Sequence, residues 1–146
     1  MAVTDSCIFC KLASGELPSH FVYQDEDSYA FLDNQPLFPG HVLLMPRGHY
    51  ETLGDLPAHL IGPLFTTAQL IAKAVESALD AEGTFVAINN RVSQTVPHLH
   101  IHIVPRRRRD GLKGFFWPRH DYQDDSARET VRDAIEREIQ KLLIAG

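Results

Sequence analysis

Several things are scarce in this chain of 146 residues. It has two cysteines, Cys7 and Cys10, so no disulfide framework can hold it and a packed core must do so. No apolar run approaches the ~20 residues needed to span a bilayer, so no membrane association is expected. An excess of positive charge is missing too. The net charge is −5 at pH 7, which argues against general binding to nucleic-acid phosphates. The segment Met1 to Ser6 lacks the basic and apolar regions of a signal peptide, and a cytoplasmic protein is expected. There is no internal repeat and no low-complexity linker. What remains is 44% apolar and 23% charged, the composition of one soluble globular domain over residues 1–146.

Hydrophobic patterning sets the expected elements. Ile8 to Gly15 suits a short helical turn. Phe21 to Gln24 and Tyr29 to Leu32 are β-prone runs separated by Asp25-Glu26-Asp27, the pattern of a hairpin. His41 to Met45 reads as an apolar strand stopped by Pro46. Leu60, Leu64, Ala68, Ile71, Val75 and Leu79 recur at helical spacing, so a long central helix is expected. Asp55 is its expected N-cap, Pro63 a bend within it and Gly83 its stop. Thr84 to Asn89 and Val96 to Val104 read as strands. A last helix runs to Leu143, capped by Asp125 or Ser126, with Val131, Ile135, Ile139 and Leu142 on one face. The fold class is α+β, an antiparallel sheet of about five strands with one long central helix and a C-terminal helix.

The strand His98-Leu99-His100-Ile101-His102 carries the chemistry. Side chains alternate across a strand, so the three imidazoles share one face and Leu99, Ile101 and Ile103 the other, core-packing face. An imidazole with an ordinary pKa of about 6.5 is largely neutral and nucleophilic at physiological pH. Attack by one on phosphorus would split a hard displacement into two easier ones. Three histidines on one face could instead bind a single catalytic metal ion.

The segment Asp33-x-x-Pro36-x-x-Pro39-Gly40-His41, with Gln94-Thr95-Val96-Pro97-His98-Leu99-His100-Ile101-His102-Ile103-Val104-Pro105, resembles the histidine triad (HIT) family. The Cys7-Ile8-Phe9-Cys10 start is similar to its bacterial members. The resemblance spans residues 7–106, leaving 107–146 as a C-terminal extension. It implies hydrolysis or transfer at the α-phosphate of adenine-type nucleotides, either phosphoramidates or dinucleoside polyphosphates. It also implies a homodimer whose two sheets join, with helices on one side. Carried over by position, His100 is the nucleophile, His102 orients the phosphate or helps protonate the leaving group, and His41 supports the nucleophile. Asp33 holds the ribose, since a carboxylate accepts from both hydroxyls. Ile8, Phe9 and Phe31 wall the base or belong to the core. A rival reading, from another class, is a nucleotide-binding regulatory module with little turnover.

The loop before the histidines departs from the family pattern. Asn89, Gln94 and Thr95 are placed beside the phosphate, with Asn90 an alternative to Asn89. The loop lacks glycine, however, and is shorter than usual by about two positions. Cys-x-x-Cys alone fits redox use, zinc or neither. Within the resemblance, a structural zinc site takes Cys7, Cys10, His49 and His98, which leaves His100 unligated. His20, His59 and His120 have no motif context and are expected at the surface. Arg106 to Arg109 is either a solvated loop or an attractor of polyanionic substrate. Gly114 to Pro118, with Trp117, lines the substrate mouth or packs at a core or interface.

Overall fold

The computed structural model describes residues 5–113 and 119–146, so the Trp117 segment lies outside the described residues. The chain falls into two compact units, one through Asp110 and one from Gly111 onward. The first contains α1 (Ile8–Ser14), β1 (Phe21–Gln24), β2 (Ser28–Leu32), β3 (Val42–Pro46), α2 (Ala58–Leu79), β4 (Gly83–Ile88) and β5 (Ile101–Arg106). The second contains α3 (Asp125–Ala145). The five strands form one antiparallel sheet in the order β1-β2-β3-β5-β4.

The sheet has two apolar faces. On one, Ala30, Val42, Leu44, Leu99, Ile101 and Ile103 meet Leu64, Ala68, Ile71 and Val75 of α2. This is the face expected from the alternation around the histidines. On the other, Tyr29, Phe31, Leu43 and Met45 meet Phe9, Cys10 and Leu12 of α1. The helices therefore lie on opposite faces, not on one side. A seven-residue helix is too short to hold itself in water, so packing of Phe9 and Leu12 must seat α1.

Several boundaries differ from expectation for local reasons. Val96 to His100 is not strand, and β5 begins at Ile101. Pro97 has no N–H to give a ladder, and the segment bonds sideways instead: the Leu99 N–H donates to the Tyr50 carbonyl at 2.6 Å. Asp55 does not cap the long helix. It closes a capping box with Thr52 around the short 3-10 turn Leu53–Asp55, and Pro57 precedes α2. The helix runs through Pro63, which forfeits only a bond to the carbonyl of exposed His59. It stops at Asp80, which takes the left-handed conformation at φ 52, three residues before Gly83. Asp124, one residue before the expected cap, accepts from the Ala127 N–H at 2.7 Å and starts α3.

The arginine run is largely structural. Arg106 pairs with Asp110, Arg107 donates to the Leu79 carbonyl at the end of α2, and Arg108 pairs with Glu82. Lending cations to a helix C-terminus is favourable on its own account. Among the described residues, no helix is long and apolar enough to cross a membrane.

Gly40 turns the chain into His41 at φ +98. A Cβ there would sit 2.0 Å from Leu79 Cδ1, a flexible methyl that can move, but the backbone conformation cannot be relieved. Gly40→Ala is expected to lose roughly 1–3 kcal/mol, read as a lower urea midpoint with an unchanged slope.

Candidate functional site

The clustered histidines stand where β3 and β5 run side by side, with Leu43 opposite His102. His41 precedes β3, and its ring lies 5.2 Å from that of His102. The His100 and His102 rings are 5.0 Å apart, and Phe9 of α1 meets His100 edge-on at 5.1 Å. The same Phe9 ring meets His98 at 5.9 Å, so the three histidines share a face even though only His102 lies within β5.

Hydrogen bonds to backbone groups set each tautomer, because a carbonyl can only accept and an amide N–H can only donate. His100 Nδ1–H donates to the His98 carbonyl at 2.7 Å, which leaves Nε2 with its lone pair. His98 Nε2–H donates to the Pro46 carbonyl at 2.9 Å, which leaves Nδ1 as the lone-pair nitrogen. The Leu37 N–H donates to His41 Nδ1 at 3.1 Å, so the His41 proton sits on Nε2. From there it is donated to His102 Nδ1 at 3.0 Å, leaving His102 with a proton on Nε2. The Pro46 carbonyl and the Leu37 amide carry no side-chain signal, and a reading of residue types could not have found them.

Burial keeps these rings neutral. It pushes His102 and His98 each down to about 4, and it also lowers His41 and His100. For His102 the neighbouring histidines add to the effect, and the Asp33 carboxylate opposes it. Asp33 Oδ2 lies 3.8 Å from His41 Nε2, while its Oδ1 accepts from the Gln35 N–H at 2.8 Å.

The histidines of the triad do not gather around one ion. The potential ligand groups among the described residues are Cys7-Cys10-His49-His98 and Asp33-His41-His102. His98 belongs to one, His102 to the other and His100 to neither, so the single catalytic ion on three strand histidines is not supported. In the second group His41 Nε2 already carries the proton that bonds His102, which makes it a donor rather than a ligand.

The first group fits zinc. Cys7 Sγ is 3.5 Å from His98 Nδ1, and Cys10 Sγ is 3.6 Å from His98 Nδ1 and 3.4 Å from His49 Nδ1. All four ligand atoms lie within 4.8 Å of one another. A tetrahedron with ordinary Zn–S and Zn–N bonds has a sulfur-to-nitrogen edge of about 3.5 Å. The cysteines are buried and not joined in a disulfide, and His98 has the outer-shell carbonyl partner usual for a metal-bound imidazole.

The remaining expected residues are placed unevenly. Phe31 is buried against Phe9 at 5.6 Å, whereas Ile8 is half exposed. Asn89 is exposed at the end of β4. Asn90 Oδ1 accepts from the Leu53 N–H, and the Gln94 amide is spent on the Arg91 N–H of its own loop and the Glu51 carbonyl of the segment after β3. Thr95 borders a cavity of about 300 Å³ with Ile8, Cys7 and His49. Without glycine the loop forces Arg91 and Ser93 to φ 68 and 61, where side chains are disfavoured.

Comparison with known proteins identifies the family. The model of the HIT domain matches residues 14–109, and the chain belongs to that family. It is 34% identical over 129 residues to the protein hit of Bacillus subtilis, covering 86% of this chain and 89% of that protein. An adenosine 5'-monophosphoramidase of Saccharomyces cerevisiae is 34% identical over 140 residues, 94% of this chain and 81% of the enzyme. An adenylylsulfatase of Arabidopsis thaliana is 36% identical over 110 residues, 74% of this chain, which spans 56% of that enzyme's length. Among solved structures, a HIT family member from Bacillus subtilis matches with a TM-score of 0.82 at 31% identity, covering 91% of this chain and 96% of that one. A zinc-bound histidine triad protein from Mycobacterium smegmatis matches with a TM-score of 0.70 at 34% identity, covering 93% and 97%.

A neutral His102 held at about 4 makes stability depend on acid. The unfolded ring takes up a proton near pH 6.5 and the folded one does not, so this stabilisation is complete above pH 6.5 and is lost as pH falls toward 4. Urea unfolding at stepped pH is expected to show stability falling across that window. The fall should be shallower in His102→Asn.

Proposed function

We propose that this protein hydrolyses or transfers nucleotides at the α-phosphate, with His100 as the nucleophile. The observation that carries the reading is the 2.7 Å bond from His100 Nδ1–H to the His98 carbonyl, which fixes one tautomer and leaves Nε2 with its lone pair. In the first step Nε2 bonds to phosphorus, and the phosphorus–nitrogen or phosphorus–oxygen bond to the leaving group breaks, the leaving group taking a proton from solvent. In the second, water attacks phosphorus and gives up a proton to solvent, the bond to Nε2 breaks with its electron pair returning to the ring, and the nucleoside monophosphate departs. His102, its Nδ1 occupied by His41, offers Nε2–H to the charge on the phosphoryl oxygens. Asp33 takes the ribose hydroxyls, and Ile8 and Phe9, with Phe31 behind, wall the base. Asn89 and Thr95 flank the phosphate, with Gln94 bracing the loop. Adenine-type phosphoramidates and dinucleoside polyphosphates are the substrate class, in keeping with the phosphoramidase and adenylylsulfatase among the relatives.

Cys7, Cys10, His49 and His98 would hold a structural zinc ion, whose chemistry is a redox-inert tetrahedral tie. Thiols kept for metal suit a reducing, cytoplasmic setting. The working unit is a homodimer formed along β4. Of the two edge strands, β1 is blunted by a register shift between Phe21 and Tyr23, whereas β4 pairs without interruption from Gly83 to Ile88. Residues 1–146 act as a single HIT domain with a C-terminal extension.

Incubation with an adenosine phosphoramidate or diadenosine polyphosphate, quenched in acid, is expected to yield a nucleotidyl adduct on His100 by mass spectrometry. His100→Ala should abolish the adduct and lower kcat by at least about 1000-fold, while tight binding with no adduct and no turnover would reject the enzyme reading. Sedimentation equilibrium is expected to return twice the 16.4 kDa chain mass. A monomer at micromolar concentration would exclude pairing along β4.

A further inference from the structure

We propose that His98 and Phe9 are positioning residues through which occupancy of the Cys7-Cys10-His49-His98 cluster sets the aim and tautomer of His100. The inference rests on the reading of His100 as nucleophile and deepens it, because it makes the metal cluster part of the active site's alignment rather than a remote staple.

Two short routes join the cluster to His100. The first runs through one residue. His98 presents Nδ1 to both cysteines, donates Nε2–H to Pro46 and accepts the His100 Nδ1–H on its carbonyl. Those contacts fix the His98 ring at both ends, and the carbonyl is three bonds from the ring-bearing Cβ. The chain here is outside the strand ladder, which starts at Ile101, so sheet hydrogen bonds do not hold the His98 carbonyl in place. Beside the side-chain ties, the local backbone anchors are the His98 N–H to Val96 and the Leu99 N–H to Tyr50.

The second route runs through α1. Phe9 lies between Cys7 and Cys10 in sequence and packs on His98, His100 and Phe31 with ring distances of 5.9, 5.1 and 5.6 Å. Seven residues of helix cannot hold that ring by themselves. A metal gripping the cysteine on each side of Phe9 would seat the first turn of α1, assisted by the Tyr29 hydroxyl on the Phe9 carbonyl. The four ligands come from three segments: the start of α1, the loop after β3 and the approach to β5. With metal these segments are locked together. Without it, only the sulfur-to-imidazole contacts tie the three segments at this point, and relaxation of either route moves His100. A displacement of about 1 Å at a reacting group can cost on the order of 100-fold in rate.

His49→Asn tests this by removing the ligand on the loop after β3; because the His49 ring also packs edge-on against His98 at 5.1 Å, metal stripping of the unaltered chain separates loss of zinc from loss of that contact. Three quantities are read on purified wild type and variant: zinc by elemental analysis, the His100 tautomer by two-bond ¹⁵N–¹H correlation at fixed pH, and kcat and KM on an adenosine phosphoramidate. Expected for wild type is one zinc per chain and a single His100 species protonated on Nδ1. The variant should lose the zinc, show mixed His100 tautomers, and fall about 10- to 100-fold in kcat with KM within about threefold. Stripping wild type with dipicolinate should reproduce these changes, and zinc should reverse them; this arm decides the question if His49→Asn does not fold. Zinc lost with the His100 signature and kcat unchanged overturns the coupling and leaves the nucleophile reading intact. Wild type that carries and binds no zinc overturns the coupling and the zinc site together. A missing His100 adduct in zinc-loaded wild type overturns the nucleophile reading instead.

Discussion

Most of what this protein is proposed to do depends on one hydrogen bond, from His100 Nδ1–H to the carbonyl of His98. An imidazole can carry its proton on either nitrogen, and only one choice leaves a lone pair on Nε2. A backbone carbonyl decides the matter because it can never donate. Burial reinforces the choice by keeping the ring neutral, since His100 is held below the usual histidine range. The same device recurs at His98 with Pro46 and, in mirror form, at His41 with the Leu37 amide. Three backbone groups therefore assign the protons of four histidines, counting His102, which inherits its tautomer from His41.

The arrangement explains why three similar residues on one face do different work. His98 is fully buried and turned toward the cysteines, where it has the geometry of a ligand. His100 is fixed by the chain of His98 and bordered by Phe9, outside either potential ligand group. His102 lies in the strand proper and is bonded to its neighbour His41 across the sheet. Alternation in the sequence places three rings together, but the division among them comes from what each ring meets. A loop without glycine adds strain at Arg91 and Ser93, and Gln94 is committed to bracing it.

Much of the fold was legible because it follows from periodicity. The hairpin of β1 and β2, the apolar stripe of α2 and the core face of Leu99, Ile101 and Ile103 all appear where their spacing indicates. The histidine cluster and the C-x-x-C pair were legible because few other residue types offer nitrogen or sulfur lone pairs at such spacing. The boundaries at Asp55 and Gly83 were not, because nearby residues compete for the same cap and stop, and that at Val96 was not, because it is settled by a bond to a distant backbone group. Leu99 is drawn to Tyr50, Asp55 to Thr52, and α2 is ended by a left-handed Asp80 rather than by the available glycine. The arginine run was ambiguous for the same reason. Its partners Leu79 and Glu82 are near in space because α2 and β4 return past it.

The sequence by itself determined the class of fold, the face that carries the histidines and the residues able to bind metal. These depend on composition and on the period of side chains along the chain, which are local. Only the tertiary structure decided which histidine has its lone pair available, which faces the cysteines and which is tied to His41. Those outcomes rest on backbone carbonyls and amides brought near from Pro46 and Leu37. Every residue but proline carries the same two backbone groups, so nothing in the order of side chains marks the ones that assign a proton.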